Sequence, residues 1–185
     1  DNTFGPLLHA EWNGITLADF VFPFFIFIVG VSIVLSQKNN GTSSSFTTIF
    51  IRSIKIFSLG IFLGVIGGIL SYLVGMGELI SFSDIRIPGV LQRIALVYFA
   101  CALLFNNTTW LQQLYVMISL VVGYYVIMLY VPVPGIGTGL LEPGKNLAAY
   151  IDSILIPGSM WQGTWDPEGI LSTLPSIATG ISGML

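Results

Sequence analysis

The sequence predicts an all-α, polytopic transmembrane helix bundle, with four complete spans and the opening of a fifth. Three observations carry that reading. Hydrophobic residues make up 54% of the 185 and charged residues only 8%, whereas a soluble domain uses about 25% charged residues to clothe its surface. The apolar residues gather into runs near the ~20 residues needed to cross the roughly 30 Å hydrocarbon core as a helix. Those runs lack the apolar–polar alternation of a membrane β-strand, and a helix satisfies its own backbone in lipid.

The first run extends from about Leu17 to Ser36, and the second from about Ile54 to Val74. The third runs from Pro88 to Phe105 and the fourth from Leu111 to Val131. A fifth opens near Gly169 and is still apolar at Leu185. Residues 1–16 read as an outer-face segment bearing chemistry, 17–131 as the four spans, 132–168 as an outer-face loop, and 169–185 as the start of the fifth span. The chain starts at Asp1 without an initiator Met or a signal sequence, and stops inside an apolar segment, so it reads as a piece of a longer protein.

Basic residues set the expected orientation. Lys38, Arg52 and Lys55 lie around the first connection, with no carboxylate, which places that side in the cytoplasm. Glu78, Asp84, Glu142, Asp152, Asp166 and Glu168 fall on the opposite side, against Arg86 and Lys145. The amino-terminal segment, with His9 and Glu11, joins them there. In the second span Gly60, Gly64 and Gly68 recur every four residues, a pattern that lets a second helix approach closely. The fourth span has Tyr124, Tyr125 and Tyr130 but no acidic or basic group, and reads as lipid-facing scaffold. After Val131 come Pro132, Pro134, Gly135, Gly137 and Gly139, which break regular structure. Leu147, Tyr150, Ile151, Ile154 and Leu155 then recur at helical spacing behind the capping residue Asn146, predicting a short helix along the membrane surface.

The net charge of −3 argues against a nucleic-acid partner, which would want a basic face. Cys101 is the single cysteine, and neither a disulfide framework nor metal-ligand spacing is present, so no metal is expected. No phosphate-cradling glycine loop or nucleophile elbow occurs. The ionisable residues that remain form three clusters at the expected outer face.

The first cluster is Leu8-His9-Ala10-Glu11-Trp12-Asn13-Gly14, leading to Asp19 and Pro23. Pro23 has no N–H, which frees the Asp19 carbonyl where the helix meets lipid. Asp19 either complements the positive end of the helix dipole or is a functional carboxylate. His9, the only histidine, has the side chain best suited to proton transfer near neutrality, though a loop histidine is more often a surface residue. Trp12 also fits an interfacial anchor. The second cluster is Arg86-Ile87-Pro88-Gly89-Val90-Leu91-Gln92-Arg93, with Pro88 suited to the first helical position. Arg93 lies more than a turn inside the span and either snorkels outward or holds an anion with its fork beside Gly89. The third cluster is Thr164-Trp165-Asp166-Pro167-Glu168-Gly169. Asp166 as cap, Pro167 at the first position and Glu168 in the first turn make a regular helix start, which accounts for those residues without a ligand. Sugar binding by Trp165 and Asp166 is the alternative. These residues define a polar pocket in a bundle, and by themselves do not choose between an enzyme and a transporter.

The stretches LLHAEWNGITLADFVFPFFIFIVG, RIPGVLQRIALVYF and TWDPEGILSTLPSIAT, in that order, resemble the heparan-α-glucosaminide N-acetyltransferase family and its bacterial relatives. The resemblance implies an integral membrane enzyme that moves an acetyl group from acetyl-CoA to an amino sugar or other glycan acceptor. It implies that His9 is catalytic, as general base or acetyl carrier, and that Asn13, Asp19 and Arg93 are its neighbours. Asp19 is placed with His9 in the catalytic set, and Trp12, Asn13, Arg86, Gln92, Arg93, Trp165 and Asp166 in the substrate- or cofactor-binding set. The implied partners are the lipid bilayer, acetyl-CoA and the glycan acceptor, with homo-oligomerisation left open. The implied location is the bacterial inner membrane, His9 on the non-cytoplasmic side. The family's preceding helix, with its Asp and Arg-Gly signature, is not in this sequence. A small-solute transporter or channel using the same pocket is the competing reading, and a purely structural subunit the third.

Overall fold

The computed structural model describes residues 8–10, 12–40, 44–75, 85–161 and 163–185. Glu11, Glu78 and Asp84 lie outside them. Among the described residues there are six α-helices and no β-strand: α1 Val21–Asn40, α2 Phe46–Leu73, α3 Val90–Asn107, α4 Trp110–Tyr130, α5 Leu147–Leu155 and α6 Thr173–Met184. The first four are long and apolar enough to cross a membrane, so the predicted all-helical polytopic class is the observed one.

Local chemistry sets most of the boundaries. A 3-10 turn, Ala18–Phe20, leads into α1 just ahead of Pro23. Ser45 caps α2 by accepting from the Thr48 amide, and Thr109 and Gln112 cap α4 reciprocally. Asn146 caps α5 through the Ala149 amide at 2.9 Å, as its sequence suggests.

Four expectations need correction. The Ser45 cap starts α2 well before Ile54, so Arg52 and Lys55 sit on the helix and not in the connection. Arg52 hydrogen-bonds the Tyr98 hydroxyl at 3.4 Å across to α3. Pro88 is not the first residue of α3, because extended Gly89 is its N-cap. Asp166-Pro167-Glu168 does not open α6 either; a turn intervenes and the helix begins at Thr173. There the Asp166 carboxylate accepts the Glu168 amide within the turn and takes Arg86 as partner. Finally, α4 is more than scaffold, since Tyr124, Tyr125, Met128 and Leu129 at its end line a cavity.

Helix α6 is the centre of the bundle, packing against α1, α3 and α4, while α2 lies on α3. The core is Ile26 and Ile33 of α1, Ile49 of α2, Val97, Tyr98, Cys101 and Ala102 of α3, and Ile181 and Met184 of α6. The closest crossing is between α1 and α6, where Gly30 meets the Gly180 backbone and Gly183 meets the Phe27 backbone with no room for a Cβ. A smaller cluster of Met128, Val133 and Leu147 fixes the long loop to the end of α4.

Side-chain bonds show which ends lie together. Gln37 bonds Asn106, and Asn106 bonds the Ser44 carbonyl, so the α1–α2 and α3–α4 connections share one end. Trp12 bonds the Leu141 carbonyl, which puts the amino-terminal segment and the long loop at the other. All three sequence clusters meet at this second end.

Candidate functional site

His9 and Asp19, ten residues apart, form a pair. His9 Nδ1 lies 2.8 Å from Asp19 Oδ1. The other carboxylate oxygen, Oδ2, accepts from the Thr16 amide at 2.8 Å, the Thr16 hydroxyl at 3.0 Å and the Ala10 amide at 3.3 Å. Thr16 in turn accepts the Asp19 amide through its carbonyl. The sequence Thr16-Leu17-Ala18-Asp19 therefore closes on itself at the head of the first span and fixes the carboxylate. Asp19 serves the helix start and the histidine at once. An ionised carboxylate only accepts, so Nδ1 carries the hydrogen, and in the neutral imidazole that tautomer leaves the lone pair on Nε2. The imidazole side chain is 77% exposed, against 27% for Asp19. Asn13 is exposed beside this pair in sequence and makes no side-chain hydrogen bond among the described residues.

Trp12 is tied inward. Its indole N–H donates to the Leu141 carbonyl at 2.9 Å, and its ring crosses that of Trp165 edge-on at 5.0 Å between centroids. The first and third clusters thus touch through two tryptophans, which an isolated interfacial anchor would not require.

The second and third clusters meet through Arg86. Its Nε and Nη2 donate to the two oxygens of Asp166 at 2.7 and 2.6 Å, and Nη2 also reaches Glu168. The guanidinium lies over the Trp161 ring, 5.0 Å from its centroid. Asp166 further accepts the Trp161 amide at 3.1 Å and the Glu168 amide at 2.9 Å. Burial alone would raise the Asp166 carboxyl, but Arg86 and the two amides outweigh it and hold the group below the usual carboxylate range. The same hydrogen bond to Asp166 raises the Arg86 guanidinium, against its own desolvation.

Arg93 does not snorkel. It is 7% exposed, and its terminal nitrogens donate to the Gly169 carbonyl at 3.1 Å, the Ser176 hydroxyl at 3.4 Å and the Ser172 hydroxyl. Its guanidinium lies 5.9 Å from the Phe22 ring, one turn beyond Asp19 on α1. Every one of those acceptors is neutral, so Arg93 makes no ion pair among the described residues and instead fastens α3 to the head of α6. Its buried Nε has no partner. Gln92 is buried with its Oε1 wedged against Gly60 and Gly89.

The polar groups were expected to face one hollow; the structure makes two. The larger, about 430 Å³, is lined by Trp12, Tyr124, Tyr125, Asp152, Trp165 and Asp166 among others. Arg93 and Gln92 line a separate cavity of about 200 Å³ with Phe57, Leu96, Leu155 and Glu168. His9 and Asp19 line neither; they connect to the first through Trp12, three residues along the chain from His9.

The sequence reading missed Asp152. It is 1% exposed, and its Oδ1 accepts the Ile170 amide at 2.8 Å. Its other oxygen packs so closely on Gly169 that no Cβ would fit there. Asp152 lies off the apolar face formed by Leu147, Tyr150, Ile151, Ile154 and Leu155, where an amphipathic surface helix expects a polar residue, so the pattern carried no sign of its burial; in the structure Ala149 and Asp152 are buried while Ile154 and Leu155 are exposed.

Fold and site together define a polytopic helical membrane protein whose polar residues converge at one end of the bundle. A domain of unknown function (DUF5009) matches residues 4–74. Across nearly its whole length the chain is similar to heparan-alpha-glucosaminide N-acetyltransferase: 33% identical to the Homo sapiens protein over 226 residues and 31% identical to the Mus musculus protein over 227. Each comparison covers 95% of this chain and 33% of the relative. The chain therefore spans about a third of the length of the curated relatives it matches, and the resemblance drawn from its three motifs holds beyond those motifs.

Proposed function

We propose that the whole protein is a membrane acetyltransferase. It takes the acetyl group of acetyl-CoA and delivers it to an amino sugar or other glycan acceptor at the His9 end of the bundle, on the non-cytoplasmic side. The His9–Asp19 pair carries this reading. A carboxylate on Nδ1 sets the imidazole tautomer, leaves Nε2 as the base, and stabilises the imidazolium once a proton is taken. The acetyl thioester is already activated, so the protein must chiefly deprotonate and position the acceptor. The acceptor nitrogen or oxygen attacks the thioester carbonyl, its proton passes to His9 Nε2, and the thiolate of CoA leaves. In the two-step form Nε2 attacks first and holds the acetyl group before the acceptor takes it. Similarity to the named acetyltransferases supports the reaction class, and Trp12 and Trp165 support a sugar acceptor close to His9.

The test is transfer of labelled acetyl from acetyl-CoA to glucosamine by the full-length protein in membranes. His9→Ala is expected to lower turnover by about 10²–10⁴, the usual worth of a positioned general base. Asp19→Asn should lose activity as well, because the amide cannot hold Nδ1–H as an anion does. Undiminished transfer by His9→Ala would remove His9 from the mechanism. Solute flux without acetyl consumption would replace the enzyme by a transporter.

A further inference from the structure

The end of the bundle opposite His9 is positively charged and has no acid to balance it. From Asp19 to Glu78 and from Asp84 to Glu142 the sequence contains neither Asp nor Glu between those bounds. The two stretches hold helices α1 to α4 and the connections α1–α2 and α3–α4. Lys38 at the end of α1, and Arg52 and Lys55 in the first half of α2, therefore have no acidic neighbour in sequence. The ion pairs among the described residues, His9–Asp19, Arg86–Asp166, Arg86–Glu168 and Lys145–Glu142, all fall at the other end.

Of these three cations Arg52 is the one that the fold positions. Its guanidinium stands over the Tyr98 ring, 5.9 Å from the centroid, and donates to the Tyr98 hydroxyl at 3.4 Å. A guanidinium carries five N–H donors, and the others have no acceptor among the described residues. Arg52 remains exposed, in a recess between α1, α2 and α3 that Ser32, Ser36, Gln37 and Ser44 also line. The hydroxyls of Ser36 and Ser44 make no hydrogen bond among the described residues; Ser44 is engaged through its carbonyl, which takes the Asn106 amide.

Depth and size choose the occupant. The charge-free part of α2 from Ile56 to Leu73 is about 27 Å long at ~1.5 Å per residue. That nearly matches the ~30 Å hydrocarbon core, so Arg52 and Lys55 stand at the level of the lipid headgroups. The recess holds about 30 Å³, roughly the share of one water molecule, so it admits an oxygen atom and not a whole ligand. The remainder must lie outside, where Phe46, Phe50, Ile51 and Ile54 are exposed on the turns of α2 around Arg52. A soluble phosphate ester gains nothing from that apolar surface. A phospholipid lays its chains there while its phosphate meets the guanidinium, whose fork matches phosphate oxygens. Basic recesses between transmembrane helices suit anionic headgroups in general.

We propose that Arg52, with Lys55 one turn along α2 and the Ser36 and Ser44 hydroxyls in the same recess, binds the phosphate of an anionic phospholipid.

The experiment reads lipid and not acetyl transfer. Full-length protein is extracted in mild detergent from vesicles of equal phosphatidylcholine and phosphatidylglycerol, and the lipid it retains is counted by mass spectrometry. Phosphatidylglycerol is expected to be retained about tenfold over phosphatidylcholine, and Arg52→Gln to lower that ratio about fivefold, the worth of one cation near an anionic surface. Lys145→Gln, at the other end and already paired with Glu142, should leave the ratio unchanged. Equal retention of the two lipids by the native protein would overturn the proposal, as would a ratio that Arg52→Gln does not move. An equal fall in both variants would assign the preference to overall charge and not to the recess. Displacement of the retained lipid by acetyl-CoA would give the recess to a soluble phosphate ester instead. Should Arg52→Gln fail to fold, Lys55→Gln, at an exposed position, supplies the same reading: the ratio must fall there too.

Discussion

Gly30→Val is expected to disrupt the bundle by forcing α1 and α6 apart. At Gly30 even a Cβ would overlap the Gly180 backbone oxygen, and a few residues along the same crossing Gly183 is as close to the Phe27 backbone. Backbone cannot rotate out of the way as a side chain can, so α1 and α6 must separate. That costs more than the ~1–3 kcal/mol of ordinary overpacking. Separation would also loosen Val97 and Cys101, which touch the other side of α6 at Gly180. The control is Gly64→Ala on α2, where nothing lies within 4 Å of the added carbon. It should be neutral, or stabilise by up to about 1 kcal/mol through helix propensity. Thermal unfolding of the detergent-purified variants distinguishes them. Equal transitions for Gly30→Val and the native protein would show that the α1–α6 crossing is not the tight contact described.

The glycines of this crossing explain how far the sequence could be read. A repeat of small residues is visible in the second span as Gly60, Gly64 and Gly68, and it was natural to put the close contact there. Only Gly60 is shown to serve it, against Leu91 and Gln92 of α3. The tighter crossing uses glycines from separate helices, Gly30 with Gly180 and Gly183, whose pairing no spacing within one helix can announce. Spans were legible because hydropathy and length are local properties; the start of α2 was misjudged because Arg52 and Lys55 looked like loop charges while the Ser45 cap decided the boundary.

Among the site residues, what each carries was legible and what each meets was not. His9 and Asp19 were placed together in one catalytic set, and whether they meet depends on how the chain folds over residues 12–18. Arg93 was read as a fork for an anion because a buried arginine needs acceptors. It found neutral ones, a carbonyl and two hydroxyls more than 75 residues away in sequence. Asp152 was passed over as one of several outer-face acids, since its burial comes from Gly169, the Ile170 amide and the wall of tyrosines on α4, and none of these is near it in sequence.

Arg86→Met should release the long loop from the head of α3 and reverse the pH response of that region. Arg86 joins Ile87-Pro88 to Asp166 and Glu168 across some eighty residues, and the Asp166 side chain it meets is fully buried. Removing one member of a buried pair costs about 3–5 kcal/mol, because the other charge stays behind without compensation. The sign with pH follows from the carboxyl. In the native protein the folded Asp166 value lies below its unfolded value of about 3.9. Its stabilising contribution is therefore complete above that pH and lost as pH falls through the folded value. Without Arg86, burial dominates and the folded value rises above the unfolded one. The variant then gains stability as acid protonates Asp166 and loses it as pH rises. Hydrogen exchange at the amides of Trp161, Glu168 and Gly169, followed from about pH 7 toward pH 3, would show the native protein loosening and Arg86→Met tightening. Asp166→Asn combined with Arg86→Met should cost less than the two single changes added together, since the stranded charge is gone. Parallel pH profiles for the native protein and Arg86→Met would mean that the Arg86–Asp166 bond does not hold the loop beside the aromatic cavity.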